Sequence, residues 1–280
     1  MTERHDSDLT LAERFPDLLS RLFASAPFEL LRRDLLKLFL RHRLQPEIGL
    51  EGTCLYDCTR QEFAAVARAL QQADLSCTMH APFADLAPGG ADPEILRATR
   101  YKLEKILELI ELFAPKVIVC HLGYEDNKHS FDYPSWIERA AETWRRLAEP
   151  ADAAGVRLVL ENTYETDPAT HLEIFNRLNP PGVGFCLDVG HTLAFAGNSW
   201  RDWLPALAPW LGHLHLHDNH GDGDRHLPVG AGRFDFAGLF DYLRRNDLHP
   251  TMTLEAFSEE DLVKSLEALS SMELPEAPEV

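Results

Sequence analysis

Basic residues are scarce in this 280-residue sequence: 27 lysines and arginines stand against 45 aspartates and glutamates, a formal charge of −18. Affinity for polyanions rests mainly on Lys and Arg contacts to phosphate, so the balance disfavours nucleic acid as a partner unless a local basic groove or a metal cluster offsets it. A small neutral ligand meets no such objection. Cysteines are few and odd in number (Cys54, Cys58, Cys77, Cys120, Cys186) and lie mostly in apolar runs. That suits buried thiols in a reducing cytosol rather than a disulfide frame. Cys54 and Cys58 form a C-x3-C pair with no second pair, too little for a zinc site. No apolar run approaches the roughly 18 residues of a membrane span, and MTERHDSDLT at the start lacks the basic-then-apolar order of a secretory leader. The expectation is a soluble, cytoplasmic protein without a membrane partner. No Gly-rich fingerprint follows the first strand-like run, which argues against an open dinucleotide-binding sheet. Interdomain linkers and low-complexity stretches are missing too, so residues 1–272 read as one domain. The acidic, Pro-containing segment 273–280 reads as a flexible tail.

Short apolar runs alternate with longer amphipathic stretches, the pattern of βα units around a parallel sheet. The strand candidates are 21–25, 46–51, 75–80, 116–121, 156–161, 183–188, 211–217 and 250–255. Helical candidates fall at 28–44, 59–73, 93–114, 134–155, 168–178, 200–210, 234–246 and 258–271, with Asp92-Pro93 and Asp167-Pro168 as start signals. Eight such units in a chain of this length predict a closed (β/α)8 barrel of the TIM type.

Side chains two apart in a strand share a face. In KVIVCH, His121 opposes Ile118 and Cys120; in VRLVLE, Glu161 opposes Leu158 and Leu160. The same parity sets Asp188 against Phe185 and Leu187, Glu255 against Met252 and Leu254, and His80 against Cys77 and Met79. In LGHLHLH, His213, His215 and His217 share the face opposite Leu214 and Leu216. With the apolar faces packed on outer helices, His80, His121, Glu161, Asp188, His215 and Glu255 all point inward from the ends of different strands, where barrel active sites lie. Converging carboxylates and imidazoles are costly unless a cation joins them, and this mixture suits Zn2+, Mn2+ or a similar first-row ion. His191 in DVGH, and Asp224 and His226 in the Gly-rich loop GDGDRHLPVGAG, can reach the same mouth. His213 and His217 read as supporting or solvent-facing groups. His5, His42, His129, His171, His220 and His249 read as surface residues. Glu47 and Glu51 share an inward face, and either contact with substrate or pairing with Arg157 fits them. An inward salt-bridge network without metal is the plain alternative.

HAPF (80–83), CHLGY (120–124), LENT (160–163), LDVGH (187–191), HLHDN (215–219) and LEAF (254–257) together resemble the xylose-isomerase-like barrels, in order and over nearly the whole chain. That superfamily includes sugar isomerases and epimerases, inositol-pathway dehydratases and the endonuclease IV DNA-repair enzymes. The epimerase branch implies one divalent ion on Glu161, Asp188, His215 and Glu255, with Glu161 and Glu255 as the proton-transferring pair on opposite faces of the substrate. It further implies that His191 assists catalysis, and His80, His121 and Arg225 are the expected substrate contacts. Removing a proton beside a carbonyl develops negative charge, which a cation and a donor such as Arg225 offset. The endonuclease IV branch implies three zinc ions, and His80, His121, Glu161, Asp188, His191, His215, Asp224, His226 and Glu255 match all its ligand positions. The acidic loop EGTCLYDC after the second strand stands where those enzymes carry basic residues. A metal-dependent isomerase or epimerase of a sugar, polyol or related hydroxy-carbonyl compound is therefore expected. A three-zinc phosphodiesterase acting on abasic DNA, an inosose dehydratase-like lyase and a non-catalytic metal-binding module are the alternatives. An oligomer is compatible with each.

Overall fold

The computed structural model describes residues 9–178 and 182–277. Its strands are β1 (Leu22–Pro27), β2 (Gln45–Gly49), β3 (Thr78–His80), β4 (Val117–His121), β5 (Arg157–Glu161), β6 (Gly184–Asp188), β7 (Leu211–Leu216) and β8 (Thr251–Leu254). They pair in parallel in chain order, and β8 returns to β1, with Met252 opposite Leu22, to close a (β/α)8 barrel. The site residues sit at matched depth in this register: His121 lies opposite Glu161 on β5, and Asp188 opposite His215 on β7. Glu255 falls one residue past β8 but keeps the ladder, its N–H donating to the Leu216 carbonyl at 3.2 Å.

Helical structure occupies each expected interval, and local chemistry starts several of the helices. Asp92 caps Pro93–Glu104 by accepting from the N–H groups of Glu94 and Ile95, and Pro93 occupies the first turn, where its missing N–H costs nothing. Thr59 and Glu62 form a reciprocal capping box on Arg60–Gln72. The single helix expected over 93–114 is instead two, Pro93–Glu104 and Leu107–Phe113. Two short helices not expected from the sequence, Leu11–Arg14 and Pro16–Leu19, precede β1. The ring of His42 explains part of this: it is buried, not on the surface as expected, and its Nδ1 accepts from the Leu11 N–H at 3.0 Å.

The outward strand residues, among them Ile118, Leu160, Leu187, Leu214 and Leu254, join the helices in one large apolar cluster. Inside the barrel, Val117, Val119, Val159 and Cys186 form a separate small cluster beneath the polar strand ends. His171 also departs from the surface expectation. It is fully buried among Phe175, Phe185 and Trp203, and burial lowers its pKa to about 3. Burial raises the Cys54 and Cys58 thiols to about 12 and about 11, and the Cys58 thiol donates to Glu29. Leu274, within the segment expected to be a flexible tail, is buried in the main cluster. Residues 278–280 and His5 lie outside the described residues. Among the described residues, no helix is long and apolar enough to cross a membrane.

Phe185 is fully buried on the outer face of β6, its ring parallel to that of Trp203 with centroids 6.3 Å apart. Phe185→Ala is expected to cost about 3–5 kcal/mol. Urea titration should show a lower midpoint with an unchanged slope.

Candidate metal centre

Glu161, at the end of β5, is 1% exposed and ringed by imidazoles. Its Oε2 lies 3.2 Å from His80 Nε2, 3.4 Å from His121 Nε2 and 3.5 Å from His215 Nδ1, and its Oε1 lies 3.2 Å from His191 Nδ1. Asp188, wholly buried at the end of β6, caps the short helix Val189–Ala194 by accepting from the His191 N–H at 2.7 Å. Both its oxygens lie 3.0 Å from His217 Nε2. Asn162 fixes the two strand ends to each other, its Oδ1 accepting from the Asp188 N–H and its Nδ2 donating to the Asp188 carbonyl. Glu255 completes the ring, with Oε1 at 3.5 Å from His215 Nδ1 and Oε2 at 3.7 Å from both His217 Nε2 and His226 Nδ1.

The loop after β7 is held by the residues that follow His217. The Asp218 carboxylate accepts from the N–H groups of Asn219, Gly232 and Phe234, and its backbone pairs with Leu227. Asn219 ties the loop to the next strand end by donating to the Gly190 carbonyl. This brings Asp224 within 3.4 Å of His191 Nε2 and stacks His226 on His217 at 3.9 Å between ring centroids. His226 does so from a left-handed backbone, φ 46°, a strained state for a non-glycine residue and one that gathers at functional sites. Gly190 is required on steric grounds, because a Cβ there would lie 2.0 Å from His217 Cε1.

Charge balance here is set by proximity. Burial opposes ionisation of Glu161, yet His121 and His215 hold its pKa well below the carboxylate range; His191 and His217 do the same for Asp188. Burial likewise opposes charge on His191 and His215, but the surrounding acids raise both well above the usual imidazole value. Asp224 and Glu255 outweigh burial at His226, raising it to about 9. Burial alone dominates at His121, lowered to about 3, whose ring stacks on Phe83 at 4.2 Å.

Above these groups opens a cleft of about 550 Å3 lined by His80, His121, Glu161, His191, Asp224, His226 and Glu255, with Phe83, Tyr164 and Phe195 as apolar walls. Residues 47–272 match the model of the xylose isomerase-like TIM barrel. The chain belongs to that family. An uncharacterized protein of Methanocaldococcus jannaschii is 26% identical over 204 residues, 70% of this chain and 69% of that one. A probable endonuclease 4 of Mycobacterium tuberculosis is 27% identical over 184 residues, 60% of this chain and 69% of that one. Among solved structures, a D-tagatose 3-epimerase-like protein aligns with a TM-score of 0.78 at 23% identity, over 89% of this chain and 96% of that one. A Thermus thermophilus protein soaked with ZnCl2 aligns with a TM-score of 0.70 at 27% identity, over 89% and 98%.

The donor set of this family member fits divalent cations. His215 Nδ1, His217 Nδ1, His226 Nδ1 and Asp224 Oδ1 are buried without hydrogen-bond partners, and unsatisfied buried atoms of this kind call for an ion or another partner. Ligand atoms of His80/Glu161/His215, Asp188/His215/Glu255, Asp188/His191/His217 and His217/Asp224/His226 lie within 4.8 Å of one another in each trio. Arg225, expected to contact substrate, is not brought in. Asp224 and His226 turn inward on either side of it, and it lies exposed, paired with Asp222 at 2.9 Å.

Sequence reasoning missed several groups. His217, read as supporting or solvent-facing, sits in the middle of the centre. Asn162, Asp218 and Asn219 give no signal beyond their place in the motifs, and Glu165, outside them, gives none. Glu47 was left open, and it pairs with histidines rather than Arg157: Oε1 is 2.9 Å from His215 Nε2 and Oε2 is 3.1 Å from His213 Nε2, with Thr78 and Thr253 donating to it. His213 lies deeper, its Nδ1 2.6 Å from Thr251 Oγ1. A carboxylate on the far nitrogen of a ligating histidine fixes its tautomer and typically adds about 10–100-fold to metal affinity. Glu47→Gln is expected to weaken zinc binding by about that factor, read by competition against a chelating dye.

Glu165 ties the loops after β4 and β5 together, accepting from the Tyr124 and Thr163 N–H groups, and burial raises its pKa to about 7. Because this lies above the ordinary 4.5, its contribution to stability is complete below pH 4.5 and is lost as the pH rises through 7. Thermal melts should show Glu165→Gln removing that part of the decline between pH 4.5 and 7.

Proposed function

We propose that this chain is a metal-dependent isomerase or epimerase of a sugar, polyol or related hydroxy-carbonyl compound. The observation that carries the reading is the placement of Glu161 and Glu255. They come from strands three apart in the ring, yet each puts an oxygen 3.5 Å from His215 Nδ1. Two carboxylates approaching one point from different sides suit removal of a proton from one face of a carbon and its return to the other. A bound Mn2+ or Zn2+ on Glu161, Asp188, His215 and Glu255 supplies positive charge that offsets charge developing beside the substrate carbonyl. Glu255, the more exposed at 15%, opens onto the cleft and takes the proton. Glu161, on the other side, returns a proton that it takes from His191, whose Nδ1 lies 3.2 Å from its Oε1 and whose protonated form the surrounding acids favour; water in the cleft then carries the proton from Glu255 back to His191. His80 and His121 line the cleft and bind substrate hydroxyls. The likeness to a D-tagatose 3-epimerase-like structure supports the same reading.

A second reading, a three-zinc phosphodiesterase acting on abasic DNA, is favoured by one observation: His217, Asp224 and His226 form a further ligand trio beside those built on Glu161 and Asp188. The cleft counts against it. Among the described residues its lining holds no arginine, and its one lysine, Lys128, is paired with Glu125 at 2.7 Å.

Metal content per chain, turnover on a ketose and inosose panel, and cleavage of an abasic duplex separate the two. For the epimerase, Glu161→Gln and Glu255→Gln should each lower sugar turnover by about 100-fold or more with the fold intact by circular dichroism, and Asp224→Ala should retain most of it. About three zinc ions per chain, no sugar turnover and abasic cleavage abolished by Asp224→Ala would replace it with the phosphodiesterase.

A further inference from the structure

At the end of the barrel opposite the metal centre, the strand starts surround a cavity of about 410 Å3. Its lining includes Arg21, Lys116, Arg157 and His249, and among the described residues it contains no carboxylate. In a chain with 45 acidic residues that is an unusual absence. Arg21 places Nε and Nη2 in buried positions with no hydrogen-bond partner. Arg157, an exposed residue taken as a whole, has its guanidinium laid into a slot left by two glycines. A Cβ on Gly184 would lie 2.7 Å from its Nε, and one on Gly212 3.1 Å from its Nη1. Its Nη2 donates to the Trp210 carbonyl at 3.0 Å. Among the described residues no acid pairs with Arg21, Lys116 or Arg157. His249 alone has one, Asp247 at 2.9 Å, which lies outside the lining.

Guanidinium donors held away from water without acceptors carry a desolvation cost that a charged partner removes. The N-terminal end of such a barrel ordinarily serves stability, and the chemistry at the other end makes no use of these cations. Phe23, Val117 and Leu211 add an apolar wall, and the cavity is within the size range of small-molecule sites. We propose that this mouth of the barrel binds a small oxyanion, a phosphate group either free or carried by a small metabolite, between Arg21, Arg157 and Lys116. The forked guanidinium groups hold its oxygens and the apolar wall receives any organic part.

Calorimetric titration of the full-length, metal-loaded protein with inorganic phosphate, fructose 6-phosphate and fructose tests this. Saturable phosphate binding is expected, weakened about tenfold or more by Arg21→Gln and by Arg157→Gln, the loss of a charged hydrogen bond of about 1.5–3 kcal/mol. Asp188→Asn, at the metal centre, should leave it within about twofold, which separates this site from phosphate held by the metal. Tighter binding of fructose 6-phosphate than of phosphate assigns a metabolite; equal binding assigns the free ion. In phosphate-free buffer Arg21→Gln should melt no lower than the parent chain, whereas a structural role for Arg21 predicts a lower midpoint. No saturable binding, binding indifferent to both arginine variants, or binding that appears only when residues 278–280 are deleted would each overturn the proposal.

Discussion

The arrangement depends on the burial of Glu161 and Asp188, carboxylates with almost no contact with water at the ends of adjacent strands. Ionised acids so placed are tolerated only when cations or several hydrogen-bond donors surround them. Here the surroundings are imidazoles contributed by β3, β4, β7 and the helix after β6. Each must arrive at one depth on one face, so the requirement reaches back into register, strand parity and the length of every connection. The barrel supplies a ring of strand ends, and the electrostatics dictate which residues occupy them.

That logic explains how much could be read before the structure was known. Strand parity placed His80, His121, Glu161, Asp188, His215 and Glu255 correctly because inward and outward faces differ in chemistry at every strand, and motif order carried the family. Parity could not rank His213, His215 and His217, which share one face; depth separates them, and depth depends on how far β7 projects past its neighbours. It was equally silent on Glu47, whose position in the middle of β2 looks the same whether the side chain meets substrate, an arginine or a histidine. His42 and His171 were misplaced because a polar residue on an amphipathic helix carries no mark of whether its ring is covered, and both are covered by elements distant in sequence. Arg225 failed for a local reason: turns alternate the direction of their side chains, and Asp222 offered a nearer partner.

The loop after β7 shows how a mobile class of structure is made to serve a fixed site. Asp218 and Asn219 spend their polar atoms on backbone N–H and carbonyl groups of that loop and of the neighbouring strand end. Those bonds let Asp224 and His226 act as extensions of the barrel wall. A one-ion proton-transfer site can operate without the pair and a three-ion site cannot, so the chemical distinction between the two readings is carried by this loop and not by the strands.

The contact between Glu47 and His213 continues below the metal centre. His213 in turn meets Thr251, which borders the cationic cavity at the far mouth. Along this side of the barrel the axis is a column of hydrogen-bonding groups, whereas hydrocarbon fills the side lined by Val117, Val119 and Val159. Hydrogen-bonded groups in a low-dielectric interior polarise and so strengthen one another. Glu47, His213 and Thr251 therefore pin β2, β7 and β8 to one another from the depth of the metal centre down to the far mouth, so that side of the barrel is held in register by hydrogen bonds and the other by packing alone.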